Sequence, residues 1–447
     1  MYRALIRSQL DYGCVVYNSA CKSLLKKLDS IQCTALSFVT GAMRGTALSS
    51  LLRDCGEYPL SMRRDFLTCK YLAKISSNPM HISNEVTKKS AMKQLSITFP
   101  CRRESHLKIV KSLAASDIIG GDVTSLNPPW TSKVISTDLY FKSSLDLKAP
   151  TKCSSLQMEI VKYLDLVYPL STLIYTDGSC STSGRAAAAV FIPSLNITLS
   201  YRLTDFVRIE LVELDAIFSA ISIIILHRII NPVIITDSLS IVMAFSNGSI
   251  FDNVLVHICR NLVSSNNISL SMIWVPSHIG LVDHDSADLQ AKRALELPSI
   301  NRVSVLDFVD VCSLLKHHYL NEWNGSISSL STGRSYHGLF PKGRSTSELI
   351  YPRKKDTVIS RLRFHNCRLN KYLHKIGIHP SGLCDICNIP EDVDHFVFNC
   401  IKHVSLTSLL KSAAFSNKST LSLKLVLSHE PFLSIIYNYI SVNNVTI

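Results

Sequence analysis

The chain has 447 residues, 47% of them hydrophobic, a length that suits about three modules of ordinary size and argues against a protein built around one small site. Its net charge of +13 and pI near 9.1 favour a polyanionic partner. The 14 Cys lack the dense spacing of a secreted disulfide scaffold, which points to reduced thiols in an intracellular setting, and the most apolar run, Ala216 to Leu226, is short of the ~20 residues that span a membrane.

Charge is unevenly spread. Residues 1–111 hold 18 Lys/Arg against 7 Asp/Glu, residues 170–296 hold 7 against 11, and residues 297–447 hold 17 against 10. An acidic module is thus flanked by two basic ones.

Residues 1–111 read as mainly helical. Leu24, Leu28, Ile31, Ala35 and Val39 recur at helical steps, which predicts an amphipathic helix that turns this stripe inward and stops at Gly41. The basic residues on its other face, and Arg63-Arg64 and Arg102-Arg103, are either phosphate contacts or a solvated surface. Residues 112–168, with Gly120-Gly121, Pro128-Pro129 and many Ser and Thr, read as a linker with marginal helices, and Trp130 is a candidate docking point.

From residue 170 the pattern is mixed. Strands are expected at Thr172–Asp177, Arg185–Ile192 and Asn196–Leu203 as an antiparallel meander, followed by a helix from about Arg208 to His227 capped by Thr204 or Asp205. A short strand Val233–Thr236, helical turns around Ser238–Phe245 and Asp252–Val263, a strand Ile268–Val275 and a helix from about Asp283 to Leu295 complete an α/β layer.

Four acids stand where strand or helix ends would present them: Asp177, Glu213, Asp237 and Asp288. Converging on one point, they would bind two divalent cations, and hard Mg²⁺ takes oxygen ligands of this kind. Nearby alternatives are Glu210 for Glu213, and Asp283 or Asp285 for Asp288; the last two also suit a helix N-terminus.

Asp177-Gly178-Ser179, Val212-Glu213-Leu214-Asp215-Ala216-Ile217, Thr236-Asp237-Ser238 and Trp274-Val275-Pro276-Ser277-His278-Ile279-Gly280 with Ala287-Asp288 resemble the four motifs of type 1 ribonuclease H, in the version carried by non-LTR retrotransposon polyproteins. The resemblance implies a ribonuclease H-like mixed five-stranded sheet with helices over residues 169–297. It makes Asp177, Glu213, Asp237 and Asp288 the ligands of two Mg²⁺ ions, with Mn²⁺ as an alternative, and His278 an assistant in proton transfer or product release. The implied substrate is an RNA–DNA hybrid whose RNA strand is cut. Residues 1–111 resemble the region after a reverse transcriptase palm, through Leu5-Ile6-Arg7, Leu10-Asp11-Tyr12-Gly13 and Leu28-Asp29-Ser30-Ile31-Gln32. The palm itself is missing, so a C-terminal piece of an element protein is expected, with an N-terminal segment that lacks its packing partner.

In residues 298–447, Cys384, Cys387, His395 and Cys400 give a C-x2-C-x7-H-x4-C spacing. Three thiolates and one imidazole suit a closed tetrahedral Zn²⁺ site at 384–400. The basic flanks are expected to touch nucleic acid, and no membrane is expected. Two other functions stay open: a catalytically inactive nucleic-acid-binding remnant, and the same fold acting in another polynucleotidyl transfer.

Overall fold

The computed structural model describes residues 2–76, 135–144, 153–247, 254–302, 306, 308–327, 329–341 and 351–447. They fall into two units, Thr68–His318 and the pair of segments Met1–Leu67 with Tyr319–Ile447.

Thr68–His318 holds one mixed sheet. Its strands are β1 Ser136–Asp138, β2 Thr172–Cys180, β3 Ala186–Ile192, β4 Ile197–Leu203, β5 Pro232–Thr236 and β6 Ser271–Trp274, in the order β1-β6-β5-β2-β3-β4. β2, β3 and β4 form the expected antiparallel meander, β5 lies parallel to β2 and to β6, and β1 adds a parallel edge.

Six strands replace the expected five. The extra one comes from residues 112–168, so the described part of that stretch is not a linker. Three residues without an apolar alternation carry no strand signal; β1 forms because Ser136, Thr137 and Asp138 pair with Ser271, Met272 and Ile273. The helix Cys153–Val167 buries Leu156, Ile160 and Leu164 at four-residue steps. Tyr163 and Tyr168 donate their hydroxyls to Asp138 at 2.7 and 3.1 Å, which ties helix to strand. Arg102, Arg103 and Trp130 lie outside the described residues.

β3 shows tertiary context overriding propensity. Ala186 to Ala189 are good helix formers, yet all four are fully buried in the sheet. Burial of both faces is what a covered sheet demands, and small side chains let helices approach closely. The helices Ile209–His227 and Val282–Ala294 both pack on β2 and β3. Ile209–His227 is buried almost all round, from Leu211 to Ile224. Its N-cap position is Arg208 with no side-chain cap; Asp205, expected there, instead accepts from Arg202 at 2.7 and 2.9 Å.

In the other unit, Tyr2, Leu36, Leu51 and Leu52 share a core with Trp323, Tyr336, Phe340, Leu362, Phe396 and Ile436. The N-terminal segment therefore packs on the C-terminal region of its own chain. The helix Lys22–Thr40 ends at Gly41 in the left-handed region, as expected, but its buried face is Leu25, Gln32, Leu36 and Thr40. Leu24 and Ile31 are exposed, so the inward stripe is offset by one residue from the expected one. Two apolar stripes compete on this helix. The polar Gln32 wins a buried place because its amide donates to the Tyr2 hydroxyl and the Tyr58 carbonyl, both at 3.1 Å.

Several cations of this unit bind within it. Arg63 pairs with Asp11 at 2.8 Å, Arg64 donates to Asn18 at 3.2 Å, and Arg361 donates to the carbonyls of Gly41 and Ile447 at 2.8 and 2.7 Å. Among the described residues no helix is long and apolar enough to cross a membrane.

Candidate active site and metal centre

Parallel pairing of β2 with β5 runs from Thr172↔Pro232 to Tyr175↔Ile235. Asp177 and Asp237 each stand two residues beyond the last pair, so the register delivers both acids to the same edge. Backbone bonds fix that edge: the Trp274 indole N–H donates to the Asp237 carbonyl at 2.9 Å, and Val275 N–H to the Thr236 carbonyl at 3.0 Å.

Strand alternation puts Tyr175 and Asp177 on one face of β2 and Gly178 on the other. Burial, and next the nearby Asp283 of helix Val282–Ala294, raise the Tyr175 pKa. On the opposite face, a Cβ at Gly178 would lie 2.9 Å from the Glu213 backbone nitrogen and 3.1 Å from its Cδ. One helix therefore reaches β2 from each side, bringing Glu213 from one and Asp288 from the other. Gly178 is required by this close approach: Gly178→Ala is expected to push helix Ile209–His227 outward, lowering the melting temperature by several degrees for about 1–3 kcal/mol of overpacking. A melt identical to wild type would show that the contact is slack.

The acids are in an unfavourable state by themselves. Asp177 and Glu213 are 5% and 7% exposed, and Asp177 Oδ2 and Glu213 Oε2 are buried without a hydrogen-bond partner. Burial, and then the charges of Asp237 and Asp288, push Asp177 up to about 8 against the pull of Lys292 and the Gly178 N–H. Burial followed by Asp177 and Asp237 raises Glu213 well above the usual carboxylate range. Asp177 is thus raised by two of the other acids and Glu213 by all three. Lys292 Nζ lies 2.6 Å from Asp288 Oδ2, one turn along the same helix, and offsets part of the charge.

An acid whose folded pKa exceeds its unfolded value contributes stability that is complete below the unfolded value, 3.8 for Asp177, and is lost as the pH rises toward about 8. Without added divalent cation, the melting temperature of Asp177→Asn minus that of wild type is expected to climb across this window. A flat difference would place Asp177 in a solvated site.

His284 also belongs to the cluster, and the sequence reading passed over it. Ligand atoms of Asp177, Asp237 and His284 all lie within 4.8 Å of one another. The available signal was its spacing, four residues before Asp288 and hence on the same helix face. It was masked by Asp283 and Asp285, which do occupy the first turn. Of the alternatives, Glu210 and Asp285 are exposed and Asp283 is half-buried near Tyr175. His278 is exposed on the turn after β6 with φ 57°, next to Gly280, whose carbonyl accepts from the Gln157 amide at 2.6 Å.

Residues 169–296 match the RNase H family model. No curated protein matches the chain. Among solved structures, this chain is similar to the N-terminal RNase H domain of a Mycobacterium tuberculosis protein solved as a fusion with maltose-binding protein, at 15% identity and TM-score 0.24, covering 28% of this chain and 100% of that one. It is also similar to LC11-RNase H1 isolated from compost, at 16% identity and TM-score 0.24, over 28% of this chain and 96% of that one. LC11-RNase H1 in complex with an RNA/DNA hybrid matches at 14% identity and TM-score 0.23, again over 28% and 96%.

The second cluster lies in the unit Met1–Leu67 with Tyr319–Ile447. The ligand atoms of Cys384, Cys387, His395 and Cys400 lie within 4.8 Å of one another. A tight turn builds it: Cys384 N–H donates to the Ile389 carbonyl at 2.8 Å, Asn388 N–H to the Cys384 carbonyl at 2.9 Å, and Asn388 takes φ 53°. Ile401 N–H points at Cys387 Sγ at 3.4 Å, and both ring nitrogens of His395 are buried without a partner. Cys384 Sγ and Cys400 Sγ are 3.9 Å apart. That is far beyond a disulfide bond and close to the ~3.8 Å separation that two 2.3 Å Zn–S bonds at a tetrahedral angle would set.

Proposed function

We propose that the RNase H domain is a divalent-metal-dependent endonuclease that hydrolyses the RNA strand of RNA–DNA hybrids, leaving a 3′-hydroxyl and a 5′-phosphate. The observation that carries this reading is the pair of buried, unpartnered oxygens on Asp177 and Glu213, acids whose pKa the charges of Asp237 and Asp288 help to raise, with ligand atoms of Asp177 and Asp237 within 4.8 Å of each other. Mutually repelling carboxylates suit hard cations, and these four acids would hold two Mg²⁺ ions or, alternatively, Mn²⁺. When bound, the cations supply positive charge at the attacking and leaving oxygens of the phosphodiester.

The chain supplies the rest. Gly178 lets Glu213 come against β2, the β2–β5 register sets Asp177 beside Asp237, and Lys292 holds Asp288. His278, exposed on its turn, assists proton transfer or product release. Hybrid is told from duplex DNA by 2′-hydroxyls in a wide minor groove, a readout of shape and not of sequence. Basic residues of the flanking segments 1–111 and 297–447 add phosphate contacts. Cys384, Cys387, His395 and Cys400 hold one structural Zn²⁺. The motif order and this Cys/His spacing support an origin in a non-LTR retrotransposon polyprotein.

Purified full chain should cut the RNA of an RNA–DNA hybrid with Mg²⁺ or Mn²⁺, stop when the cation is left out, and leave duplex DNA and duplex RNA intact. Silence on the hybrid with either cation would defeat the proposal, and equal cutting of all three substrates would replace it with a broader polynucleotidyl transfer.

A further inference from the structure

We propose that His284 is a metal ligand of the carboxylate site, through Nε2, and gives the site a mixed nitrogen and oxygen donor set that favours a transition cation such as Mn²⁺ over Mg²⁺. This rests on the reading of Asp177 and Asp237 as metal ligands.

Three observations support it. First, His284 is placed to share an ion with both acids: one ligand atom from each of Asp177, Asp237 and His284 lies within 4.8 Å of the other two. Second, the side chain is 5% exposed and its Nε2 is buried without a hydrogen-bond partner. A buried ring nitrogen with nothing to bond is unfavourable, and a cation between it and the acids would remove that cost. Third, two carboxylates of opposite charge to the cation stand beside a neutral donor, so the set keeps its attraction for a divalent ion while changing its preference.

The preference follows from ligand chemistry. Mg²⁺ demands oxygen, holds its waters and gains little from an imidazole, whereas transition cations accept nitrogen readily. Four acids alone would not discriminate in this way. With His284 included, the site presents two oxygens and one nitrogen to a shared ion.

The test is cation binding to the full chain, by calorimetry with Mn²⁺ and with Mg²⁺, on wild type, His284→Asn and Asp237→Asn. The binding attributed to the site is the part that Asp237→Asn removes. His284→Asn is expected to weaken that part about tenfold for Mn²⁺ and less than about twofold for Mg²⁺. Equal weakening for both cations, or none for either, overturns the nitrogen ligand. As a check that does not depend on His284→Asn, pulsed EPR of wild type loaded with Mn²⁺ should show coupling to an imidazole ¹⁴N that is absent from Asp237→Asn; no such coupling in wild type also overturns it. If Asp237→Asn leaves the binding of both cations untouched, the underlying carboxylate site fails, a result distinct from a loss confined to His284.

Discussion

Asp237→Asn is expected to slow hybrid cleavage about a thousandfold while raising the melting temperature of the cation-free chain. The two effects have one cause. In the absence of cations, Asp237 raises the pKa of both Asp177 and Glu213, so its charge is a burden on the fold. Asparagine keeps the shape and removes the repulsion. With cation present the same charge becomes a ligand, and the loss of several kcal/mol of transition-state stabilisation corresponds to about three powers of ten in rate. A purely structural acid would behave in the opposite way, since removing it would lower stability and leave the chemistry alone. Single-turnover cleavage and a thermal melt on one preparation separate the cases. Wild-type cleavage by the variant would remove Asp237 from the mechanism, and an unchanged melt would remove the repulsion.

Loss of the Cys384, Cys387, His395 and Cys400 centre is expected to cost as much, in stability. A structural zinc contributes an apparent ~10–16 kcal/mol in small zinc-binding peptides, comparable with the whole net stability of a typical domain, about 5–15 kcal/mol. Here the ligands are built into the core, because Val393, Phe396 and Val397 beside His395 are core residues and Cys384 and Cys400 are 3% exposed. Without a cation, two thiols and an imidazole are buried, a third thiol is half-buried, and both His395 nitrogens are unpartnered. The full chain should therefore carry about one equivalent of zinc. Cys387→Ser should release it and lower the melting temperature by at least about 10 °C, at roughly 2–4 °C per kcal/mol for a unit of this size. Less than half an equivalent in wild type would dismiss the zinc.

How far the site was legible depends on the range of the interaction that made it. Asp237 follows the buried run Ile234-Ile235-Thr236, and an acid after a central strand is a local signal that the structure keeps. Glu213 over Glu210 follows from helix burial, again a local pattern. His284 was hard to read, because a His between two first-turn acids looks like part of a polar helix start, and only the packing of helix Val282–Ala294 on β2 brings it to Asp177. The β1 strand has three residues and no alternation, so its partner β6 creates it. The inward face of helix Lys22–Thr40 was ambiguous because two stripes fit, and the choice depended on Tyr2 and Tyr58. The shared core of Met1–Leu67 and Tyr319–Ile447 joins residues separated by most of the chain, for which no periodicity gives warning.

The central claim is that Asp177, Glu213, Asp237 and Asp288 gather divalent cations. Crystals of the full chain grown with Mn²⁺ and measured for anomalous scattering test it most directly. Two peaks about 4 Å apart among these four carboxylates are the predicted result. Strong peaks elsewhere with none between Asp177 and Asp237 would contradict it.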